Sequence, residues 1–590
     1  MVIKDILRTI LPPGSRQRIL AGRLKSIILH GSSSNVFIYK NWIKRIEPKT
    51  LSPILEHQSI LVSVVVPCYN TPERYIKALI KSLISQTYQN WQLCIADGST
   101  DQALAETIKH FADQDERIVY TRAEGNLGIS GNTNLAIKKA SGGYVAFLDH
   151  DDILPTWSLN EMVTVIKQNP QAGVLYSDED RLTENGQVRL SPFFKPDWSP
   201  DLFLSANYVT HFFMIESGLL KKLGGLRSQY DGSQDYDLML RALDEKPEIV
   251  HVPKILYHMR MAKNSTASTI SAKDYVHSSG NQAIVDYLKR NNIKAKVLQM
   301  PDRPTNHRIK YELDLKAKVS IIIPFKDKAD LLKTCVGSIL TKTTHKNYEI
   351  ILVSNNSTEK KTFTYLNSLK EHKNIKVYKY DNPFNFSAVN NFGRSKASGQ
   401  VLLFLNNDTK VLNREWLEEL AAVALRPEVG EVGALLFYPN NTIQHAGVIV
   451  GLLGVAGHVF RELKLGTLTP FWLPDWPRNY LAVTAACVAI EAAKFDKIGG
   501  FDEHFITAGQ DVRLGIALYE AGYRNVYWPF ARLIHYENVS VGAYNERDDN
   551  VHDYTESMKY YRRYIEQGDP YFNPNLDTMS EIPMLRRNNG

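Results

Sequence analysis

Two long stretches of the chain alternate short apolar runs with amphipathic segments in the same order. Each stretch opens on a β-branched run that ends at a proline, at residues 62–67 in the first and 319–324 in the second. Continuous apolar runs of this length are typical of buried strands. Apolar residues at helical spacing follow each run; they are Tyr75, Ile76, Leu79, Ile80, Leu83 and Ile84, and Leu331, Leu332, Cys335, Val336, Ile339 and Leu340. The pattern therefore predicts a strand, a loop and a helix twice.

The similarity continues in order along both stretches, which indicates an internal duplication. The later matches are a second apolar run (92–96 and 349–353), a third (144–148 and 401–405), Gly-Gly (224–225 and 499–500), Gln-Asp (234–235 and 510–511) and Leu-x-His (256–258 and 533–535). The two repeats run for about two hundred residues each. Strands that alternate with amphipathic helices predict an α/β fold with a mostly parallel sheet in each repeat, and ligands at the carboxyl ends of its strands.

The duplication divides the chain into domains. We expect the first repeat to form a domain over residues 59–270 and the second over 318–545. Residues 271–317 contain one helical stretch and a polar, proline-bearing segment, which predicts a structured linker with a helix. Residues 546–590 are rich in tyrosine and charge, and we expect them to pack as a C-terminal tail on the second domain. Residues 1–58 precede both repeats and match neither.

The formal net charge of +7 over 590 residues is confined to the N-terminal segment. Residues 1–50 hold ten Lys and Arg against two acidic residues, so the other 540 residues sum to −1. Apolar residues recur here at helical spacing with basic residues between them. This pattern suits either a helix on an anionic membrane surface or a helix docked on the protein with a solvated basic edge. The domains show no basic patch with interleaved aromatic residues, so we expect no nucleic-acid partner.

Composition excludes further classes of protein. Four cysteines without a Cys-x-x-Cys pair are too few for a disulfide scaffold and favour a reducing compartment. The longest apolar run is well short of the ~20 residues that span a bilayer, and the first residues do not match a signal peptide. We therefore expect a cytoplasmic protein, on the inner face of the plasma membrane if its N-terminal segment binds lipid.

Carboxylates follow the third strand of the first repeat. Asp149 and Asp151 come directly after the apolar run 144–148. Two carboxylates one residue apart repel each other unless a cation joins them, and hard oxygen ligands suit Mg²⁺ or Mn²⁺ bridging a diphosphate. A solvated acidic loop that caps the next helix is the alternative. The second repeat has Asn406 and Asp408 at this place, so only one carboxylate remains and weaker metal binding is expected.

The ordered set of motifs resembles the inverting family 2 glycosyltransferases of GT-A fold. In the first repeat the set is the strand ending at Pro67, Asp97-Gly-Ser, Asn126-Leu-Gly128, Asp149-His-Asp151, Gly-Gly and Gln234-Asp235. In the second repeat, the segments 383–387, 405–408, 444–447, 483–487 and 499–502 resemble bacterial polysaccharide transferases. The resemblance covers about residues 60–270 and 318–575. It implies two tandem GT-A domains.

The resemblance also implies roles for individual residues. The implied donor-binding residues are Pro67, Tyr69, Asp97, Asn126, Gly128 and Asp149 in the first repeat, and Pro324 and Asn406 in the second. The implied metal ligands are Asp149, Asp151 and His258, and then Asp408 and His535. Asp235 and Asp511 would be the general bases that deprotonate the acceptor hydroxyl. For each histidine a hydrogen-bonded core role is the alternative, and for Asp235 a helix N-cap role, which is compatible with a base.

The second repeat departs from the family pattern. When the two repeats are aligned at Trp91 and Tyr348, Ser354 matches Asp97. A one-residue shift of the alignment would match Asn355 to Asp97 instead. Arg513 stands where the first repeat has Asp237, and both repeats carry Gln before the base where the family usually has Glu or Asn. The second site therefore takes a different donor or has lost activity.

The implied function is a bifunctional inverting glycosyltransferase that transfers sugars from nucleotide-sugar donors to a growing, lipid-linked bacterial surface glycan. One alternative is an active first domain with a second domain that only binds nucleotide or acceptor. Another is a sugar-nucleotide nucleotidyltransferase. Such enzymes carry a Gly-rich loop with Arg after the first strand, whereas residues 66–70 are Val-Pro-Cys-Tyr-Asn, which disfavours this reading.

Overall fold

The computed structural model describes residues 36–57, 59–262, 270–300, 306–537 and 549–587. The amphipathic pattern before residue 36 and the expected domain boundary at residue 545 lie outside the described residues. Within the described ranges, no helix is both long and apolar enough to cross a membrane.

The first repeat folds into one sheet flanked by helices. Its strands are β1 (Val62–Cys68), β2 (Trp91–Asp97), β3 (Ile118–Arg122), β4 (Tyr144–Phe147), β5 (Ala172–Leu182), β6 (Arg189–Phe193), β7 (Phe213–Glu216) and β8 (Glu248–Arg260). After α1 (Val36–Arg45), its helices are α2 (Glu73–Ile84), α3 (Gln102–Ala112), α4 (Gly128–Ile137), α5 (Ser158–Gln168), α6 (Pro200–Ser205), α7 (Ser217–Leu223) and α8 (Gln234–Asp244). The strand order is β3-β2-β1-β4-β7-β5-β6, with β8 paired to β5. The first four strands are parallel, and β7 runs antiparallel between β4 and β5.

A linker joins the two repeats. It consists of α9 (Ile270–Arg290) and a hairpin of β9 (Ala295–Gln299) and β10 (His307–Tyr311). The helix packs on α8, and β10 contacts both α6 of the first repeat and the helix over Trp416–Ala424 of the second. The linker touches both repeats.

The second repeat has the same strand order with additions. Its strands are β11 (Val319–Phe325), β12 (Tyr348–Asn355), β13 (Ile375–Tyr380), β14 (Val401–Leu405), β15 (Thr409–Val411), β16 (Val429–Phe437), β17 (Ile443–His445), β18 (Val448–Val450), β19 (Ala456–His458), β20 (Arg478–Tyr480), β21 (Cys487–Glu491) and β22 (Arg524–His535). Its helices are α10 (Ala329–Lys342), α11 (Lys360–Ser368), α12 (Phe386–Lys396), α13 (Trp416–Ala424), α14 (Ala492–Lys497) and α15 (Gln510–Glu520), and α16 (Asp549–Gln567) follows in the tail. The order β13-β12-β11-β14-β21-β16 repeats β3-β2-β1-β4-β7-β5 of the first sheet. β22 pairs in parallel with β16, as β8 does with β5.

The register of the first two strands confirms the alignment of the repeats. Cys68 lies opposite Asp97 in the β1–β2 pair, and Phe325 lies opposite Ser354 in the β11–β12 pair. Cys68 and Phe325 each follow the matching proline. Ser354 therefore occupies the place of Asp97, as the count along the sequence predicts.

Burial explains why the apolar pattern forms these elements. In β1 every residue except Pro67 is buried, and in α2 the buried residues are Tyr75, Ile76, Leu79, Ile80 and Leu83. Each fully buried aliphatic side chain contributes roughly 1.5–3 kcal/mol of transfer free energy. The predicted α/β fold with a sheet domain in each repeat is confirmed, and each sheet mixes its parallel half with antiparallel strands.

The repeats and the tail are held together by buried polar contacts. Asp201 of α6 forms ion pairs with two arginines of the second repeat, with Arg426 Nη1 at 2.5 Å and with Arg524 Nε at 2.9 Å. Asn573 of the tail donates through Nδ2 to Asp178 Oδ2 in β5 at 2.8 Å, while α16 packs on α15 and β18. The tail therefore contacts the first repeat as well as the second, on which the sequence predicts it to pack.

Candidate active site

The acidic loop of the first repeat lies at the carboxyl end of β4. Asp152 anchors this loop because it accepts hydrogen bonds from the Tyr257 hydroxyl and the Arg260 backbone N–H, both at 2.6 Å. Asp151 is half-buried, and burial together with repulsion from Asp149 raises its pKa, although His150 opposes this. The side chain of Asp149 is 46% exposed. One carboxylate is thus structural, and the two predicted metal ligands remain close together beside it.

His211 lies among these carboxylates, and sequence reasoning missed it. Its Nε2 is 3.7 Å from Asp149 Oδ2, and its ring stacks on Tyr257 with a centroid distance of 4.7 Å. Its backbone N–H donates to Glu179 Oε2 at 3.3 Å, which fixes the segment in front of β7. A lone histidine before a strand carries no motif. Only the fold brings it between the acidic loop and α8.

Asp235 lies in the first turn of α8. It is held by Asn207, whose Nδ2 donates to Asp235 Oδ2 at 3.0 Å. Burial raises the pKa of the Asp235 carboxyl above its ordinary value, and the nearby His211 opposes that rise. Ser233 occupies the N-cap position of the helix, so the alternative role of Asp235 as the N-cap is wrong. A carboxylate with a raised pKa is suited to accept a proton.

Asp97 is fully buried at the end of β2. It accepts hydrogen bonds from the Ser99 N–H at 2.8 Å, the Tyr120 hydroxyl at 3.0 Å and Arg122 Nη1 at 2.7 Å. Its carboxylate therefore organises the neighbouring loops. Whether it also contacts a nucleoside stays a prediction.

The other residues that are predicted to bind the donor in the first repeat lie near the carboxyl ends of the parallel strands. Pro67 is the penultimate residue of β1, and Tyr69 just beyond the strand is exposed. Asn126 accepts through Oδ1 from the Gly128 N–H at 3.0 Å and from Asn132 Nδ2 at 3.2 Å. Gly128 has a φ of +75°, a conformation that glycine adopts without the strain of a side chain. Their role in donor binding stays a prediction.

His258 is a buried histidine in β8 with one defined partner. Its Nδ1 lies 2.5 Å from Asp180 Oδ1, and Arg189 Nε donates to the other oxygen of Asp180 at 2.6 Å. Because the carboxylate accepts, Nδ1 carries the proton and Nε2 is the nitrogen left for a ligand. Carboxylate partners of this kind orient metal-binding histidines. The contact therefore fits both the core role and the metal role.

The second repeat gathers its predicted residues around one cavity of about 370 Å³. Its lining includes all five of them, which are Pro324, Asn406, Asp408, Asp511 and His535. Asn355, Gln444 and Arg461 line it as well. Asn355 donates through Nδ2 to the carbonyls of Tyr380 and Asn382, both at 2.9 Å.

Asp408 and His535 form the polar centre of this cavity. Asp408 Oδ1 lies 3.1 Å from His535 Nε2, and His535 Nδ1 lies 2.9 Å from Gln444 Oε1. Gln444 donates through Nε2 to Glu537 at 3.1 Å, so its Oε1 accepts and His535 Nδ1 carries the proton. In the neutral ring, Nε2 then directs a lone pair towards a carboxylate. A divalent cation between an imidazole nitrogen and a carboxylate oxygen fits this arrangement.

Asp511 lies beside them in the first turn of α15. It accepts from the Ala485 N–H at 3.3 Å and the Val512 N–H at 2.9 Å. Burial raises the pKa of its carboxyl, and these donors oppose the rise. Asp511 therefore matches Asp235 in position and in the direction of its pKa shift.

The protein alone supplies few ligands to a metal ion. Across the residues that the structure describes, no three or more His, Cys, Asp or Glu side chains are arranged to hold a metal ion. Asp149 and Asp151 in the first repeat, and Asp408 and His535 in the second, fit an ion whose remaining coordination positions would be filled by a bound diphosphate.

Comparison with known proteins follows the boundaries of the duplication. The family model for glycosyl transferase family 2 matches residues 63–224 and, separately, 320–448. The chain is 33% identical over 203 residues to "Uncharacterized glycosyltransferase MJ1057" of Methanocaldococcus jannaschii, which is 32% of this chain and 68% of that protein. The chain belongs to glycosyl transferase family 2. This confirms the family resemblance read from the motifs in both repeats.

Similarity over nearly the whole chain links it to a bacterial polysaccharide protein. The chain is 39% identical over 559 residues, 93% of its length, to "O-antigen biosynthesis protein RfbC" of Myxococcus xanthus, of which it covers 43%. It covers 57% of protein y4gI of Sinorhizobium fredii, so it spans about half the length of these relatives. Among solved structures, GalNAc-T7 with UDP, GalNAc and Mn²⁺ is similar at a TM-score of 0.35 and 17% identity, over 45% of this chain and 52% of that one.

Proposed function

We propose that this chain is a bifunctional, inverting, metal-dependent glycosyltransferase. It moves sugars from nucleotide-sugar donors to a growing bacterial surface glycan, one at each repeat. The observation that carries the proposal is the second-repeat cavity, where five residues from separate segments line one space. The cluster of Asp149, Asp151, His211 and Asp235 in the first repeat supports it. The similarity to a protein named for O-antigen biosynthesis supports the class of acceptor.

The donor diphosphate would be bound where each repeat offers hard ligands. Asp149 and Asp151 would hold Mg²⁺ or Mn²⁺ in the first repeat, and Asp408 and His535 in the second. The described structure does not bring His258 together with Asp149 and Asp151 as a third ligand of the first site. When bound, such an ion takes up the negative charge that develops on the leaving diphosphate. His211, 3.7 Å from Asp149, is placed to orient that carboxylate.

Asp235 and Asp511 would act as general bases. Each accepts the proton of the acceptor hydroxyl as the oxygen attacks the anomeric carbon from the face opposite the diphosphate. One displacement of this kind inverts the configuration and needs no carboxylate nucleophile. Burial raises the pKa of both groups, which brings them closer to the working range of a base near neutral pH.

The test replaces each base by its isosteric amide. Asp235→Asn and Asp511→Asn should each abolish one transfer step and preserve donor binding, in an assay with UDP-, dTDP- and GDP-sugars and Mn²⁺. Asp244→Asn is the matched control, because Asp244 pairs with Arg290 at the surface near the end of α8. Full turnover by Asp235→Asn with its own acceptor would overturn the assignment of the first base.

A second candidate function has support in the second repeat itself. Asn406 replaces one carboxylate and Ser354 replaces the buried Asp97, so this repeat could bind a nucleotide or acceptor without transferring a sugar. The two functions differ in one result. If Asp511→Asn leaves the product of the full reaction unchanged, the second repeat is a binding domain.

We also propose a lipid-linked acceptor and a peripheral location on the inner face of the membrane. The support is the basic charge of residues 1–50. α1 itself is docked on the first repeat, where Trp42 packs against Phe194 at 5.2 Å between ring centroids. Deleting residues 1–35 spares α1, so the domains should remain folded. The truncated chain should no longer sediment with anionic liposomes, and unchanged sedimentation would remove the proposal.

A further inference from the structure

A second cavity, of about 550 Å³, lies where the linker hairpin meets the second repeat. Three arginines line it: Arg308 of β10, Arg414 of the loop before α13 and Arg532 of β22. Phe530 and Asn413 complete most of the wall. Its volume is in the range of ligand-binding pockets, about 300–1,000 Å³. Its lining shares no residue with the 370 Å³ cavity around Asp408.

The charges of this cavity are not balanced by the protein. Within the described ranges, neither Arg414 nor Arg532 forms an ion pair with a carboxylate. Arg308 is paired through Nη2 with Glu419 at 2.7 Å, but its Nε is buried and has no hydrogen-bond partner in the described structure. The one acidic residue of the lining, Glu415, is paired with Lys310 at 2.7 Å. Guanidinium groups without acidic partners favour an oxyanion, which they bind through paired N–H donors.

The walls of the cavity are held in place by hydrogen bonds. Asn413 accepts from the Arg532 N–H and donates to the Phe530 carbonyl, both at 2.9 Å. The Thr344 hydroxyl donates to the Arg414 carbonyl at 3.0 Å, and the Arg308 guanidinium lies 4.5 Å from the centroid of the Phe530 ring. The backbone that carries the arginines is thus fixed before any ligand binds, which lowers the entropic cost of binding.

The cavity is connected to the candidate active site by one pair of strands. β15 pairs with β22 so that Thr409, next to Asp408, lies opposite His535. The same ladder ends where the Leu412 N–H donates to the Arg532 carbonyl at 3.0 Å. Arg532 and His535 are three positions apart along β22, a distance of about 10 Å along the backbone. Because side chains alternate along a strand, Arg532 and His535 project from opposite faces of β22. A ligand of several sugar units would reach both by passing over β15, the edge strand of the sheet.

We propose that this cavity binds an oxyanion, carboxylate or phosphate, carried by the acceptor glycan of the second repeat. The identity of the carrier rests on the proposed function, whereas binding of the oxyanion does not. Two sources share this chemistry: an acidic sugar of the glycan and the diphosphate of a lipid carrier.

The experiment measures anion binding directly on the full chain. Glucose 1-phosphate, glucuronate, inorganic pyrophosphate and neutral glucose are titrated by calorimetry with UDP present in excess to fill the donor sites. The variant is Arg414→Gln with Arg532→Gln, both of which change exposed side chains. Lys410→Gln is the matched control, since it removes an exposed positive charge from β15 outside the cavity lining.

The wild type and Lys410→Gln should bind an oxyanion with one site per chain, and glucose should not bind. The double variant should bind at least about tenfold more weakly and bind UDP unchanged. Preference for glucuronate or glucose 1-phosphate indicates an acidic sugar, and preference for pyrophosphate indicates a lipid carrier. Equal anion binding by the double variant, or binding that UDP abolishes, would overturn the proposal. If the wild type binds the anion but transfers no sugar, that result would instead count against the proposed function.

Discussion

The two repeats share one strand order and differ at the edge where the candidate sites lie. The first repeat presents Asp149 and Asp151, with His211 3.7 Å from the former. At the matching positions the second presents a single carboxylate, Asp408, which lies 3.1 Å from His535. The second repeat also inserts β17 to β20 where the first has β6 and α6. The shared strand order therefore sets where each candidate site lies, and the side chains at the strand ends set which ligands that site can bind.

Some differences between the repeats are structural. Asp237 of the first repeat pairs with Arg227 and Arg241. Its counterpart Arg513 lies 3.6 Å from Asp502 and 4.0 Å from the ring centroid of Tyr560 in α16. Each residue has partners of its own, so this exchange of charge serves local packing. The proposed function depends instead on the differences at Asp97 and Asp149.

The comparison is tested most strongly by removing the carboxylates of each site. Asp151→Ala and Asp408→Ala should each lower transfer at their own repeat by about 10³-fold, because the charge on the leaving diphosphate is no longer offset. Product analysis with acceptors for each step measures the two effects separately. Asp330→Ala, at an exposed ion pair with Lys361, is the control. A loss at both steps from Asp151→Ala alone would show that the sites are not independent.

The interface between the repeats should matter for stability more than for chemistry. Arg426 and Arg524 outweigh the effect of burial and hold the pKa of Asp201 well below its ordinary value. Asp201→Asn leaves both arginines with Glu428, at 2.7 and 2.9 Å, as their remaining carboxylate partner among the described residues. It should therefore destabilise the protein by about 3 kcal/mol, the low end of the cost of breaking a buried ion pair. Urea denaturation measures this, with Asp244→Asn expected to cost less than about 1 kcal/mol. We expect the interface to make the two repeats unfold together, and two separate unfolding transitions of the wild type would contradict this.

The C-terminal tail beyond α16 should make stability depend on pH. Burial raises the pKa of Asp569 to about 7, above an unfolded value of about 3.9. The native state then holds its proton more tightly, so this contribution is complete below pH 4 and is lost as pH rises through 7. Between pH 5 and 8 the loss is about 2–3 kcal/mol. Asp569→Asn should flatten this part of the pH–stability curve, and an unchanged curve would contradict the assignment.

The smallest effect is expected from a substitution that makes the site of the second repeat resemble that of the first. Asn406→Asp restores the second carboxylate of the pair in the second repeat and should lower the Mn²⁺ concentration for half-maximal activity by about tenfold. Metal titration of the transfer at that repeat measures this. Lys410→Asp adds the same carboxylate outside the cavity lining and should have little effect. Equal titration curves for Asn406→Asp and the wild type would show that the metal is not held at this position.

Much of the fold follows from local pattern. The β-branched runs before Pro67 and Pro324 predict β1 and β11, and the spacing of apolar residues after them predicts α2 and α10, because burial of one face requires that spacing. The register of Ser354 against Asp97 also follows from counting residues in matched strands. Even the five predicted residues that line the 370 Å³ cavity of the second repeat come from motifs of a few residues each.

Other features depend on contacts between residues far apart in the chain. His211 and Glu179 carry no motif, and the ion cluster of Asp201 with Arg426 joins two repeats whose relative placement no local pattern encodes. The docking of the tail through Asn573 on β5 is of the same kind. Such pairs are selected by the shape and charge of surfaces that exist only after each sheet has formed.

The sequence by itself determined the duplication, the α/β class and the short motifs at the strand ends, because these depend on the periodicity of neighbouring residues. The tertiary structure alone decided which groups surround those motifs. It placed His211 beside Asp149, gave Asp408 the histidine His535 as partner, and left Arg414 and Arg532 without an acidic partner in the described part of the chain. The physical reason is that desolvation and charge act through space, so the chemistry of a side chain is set by neighbours that the fold supplies.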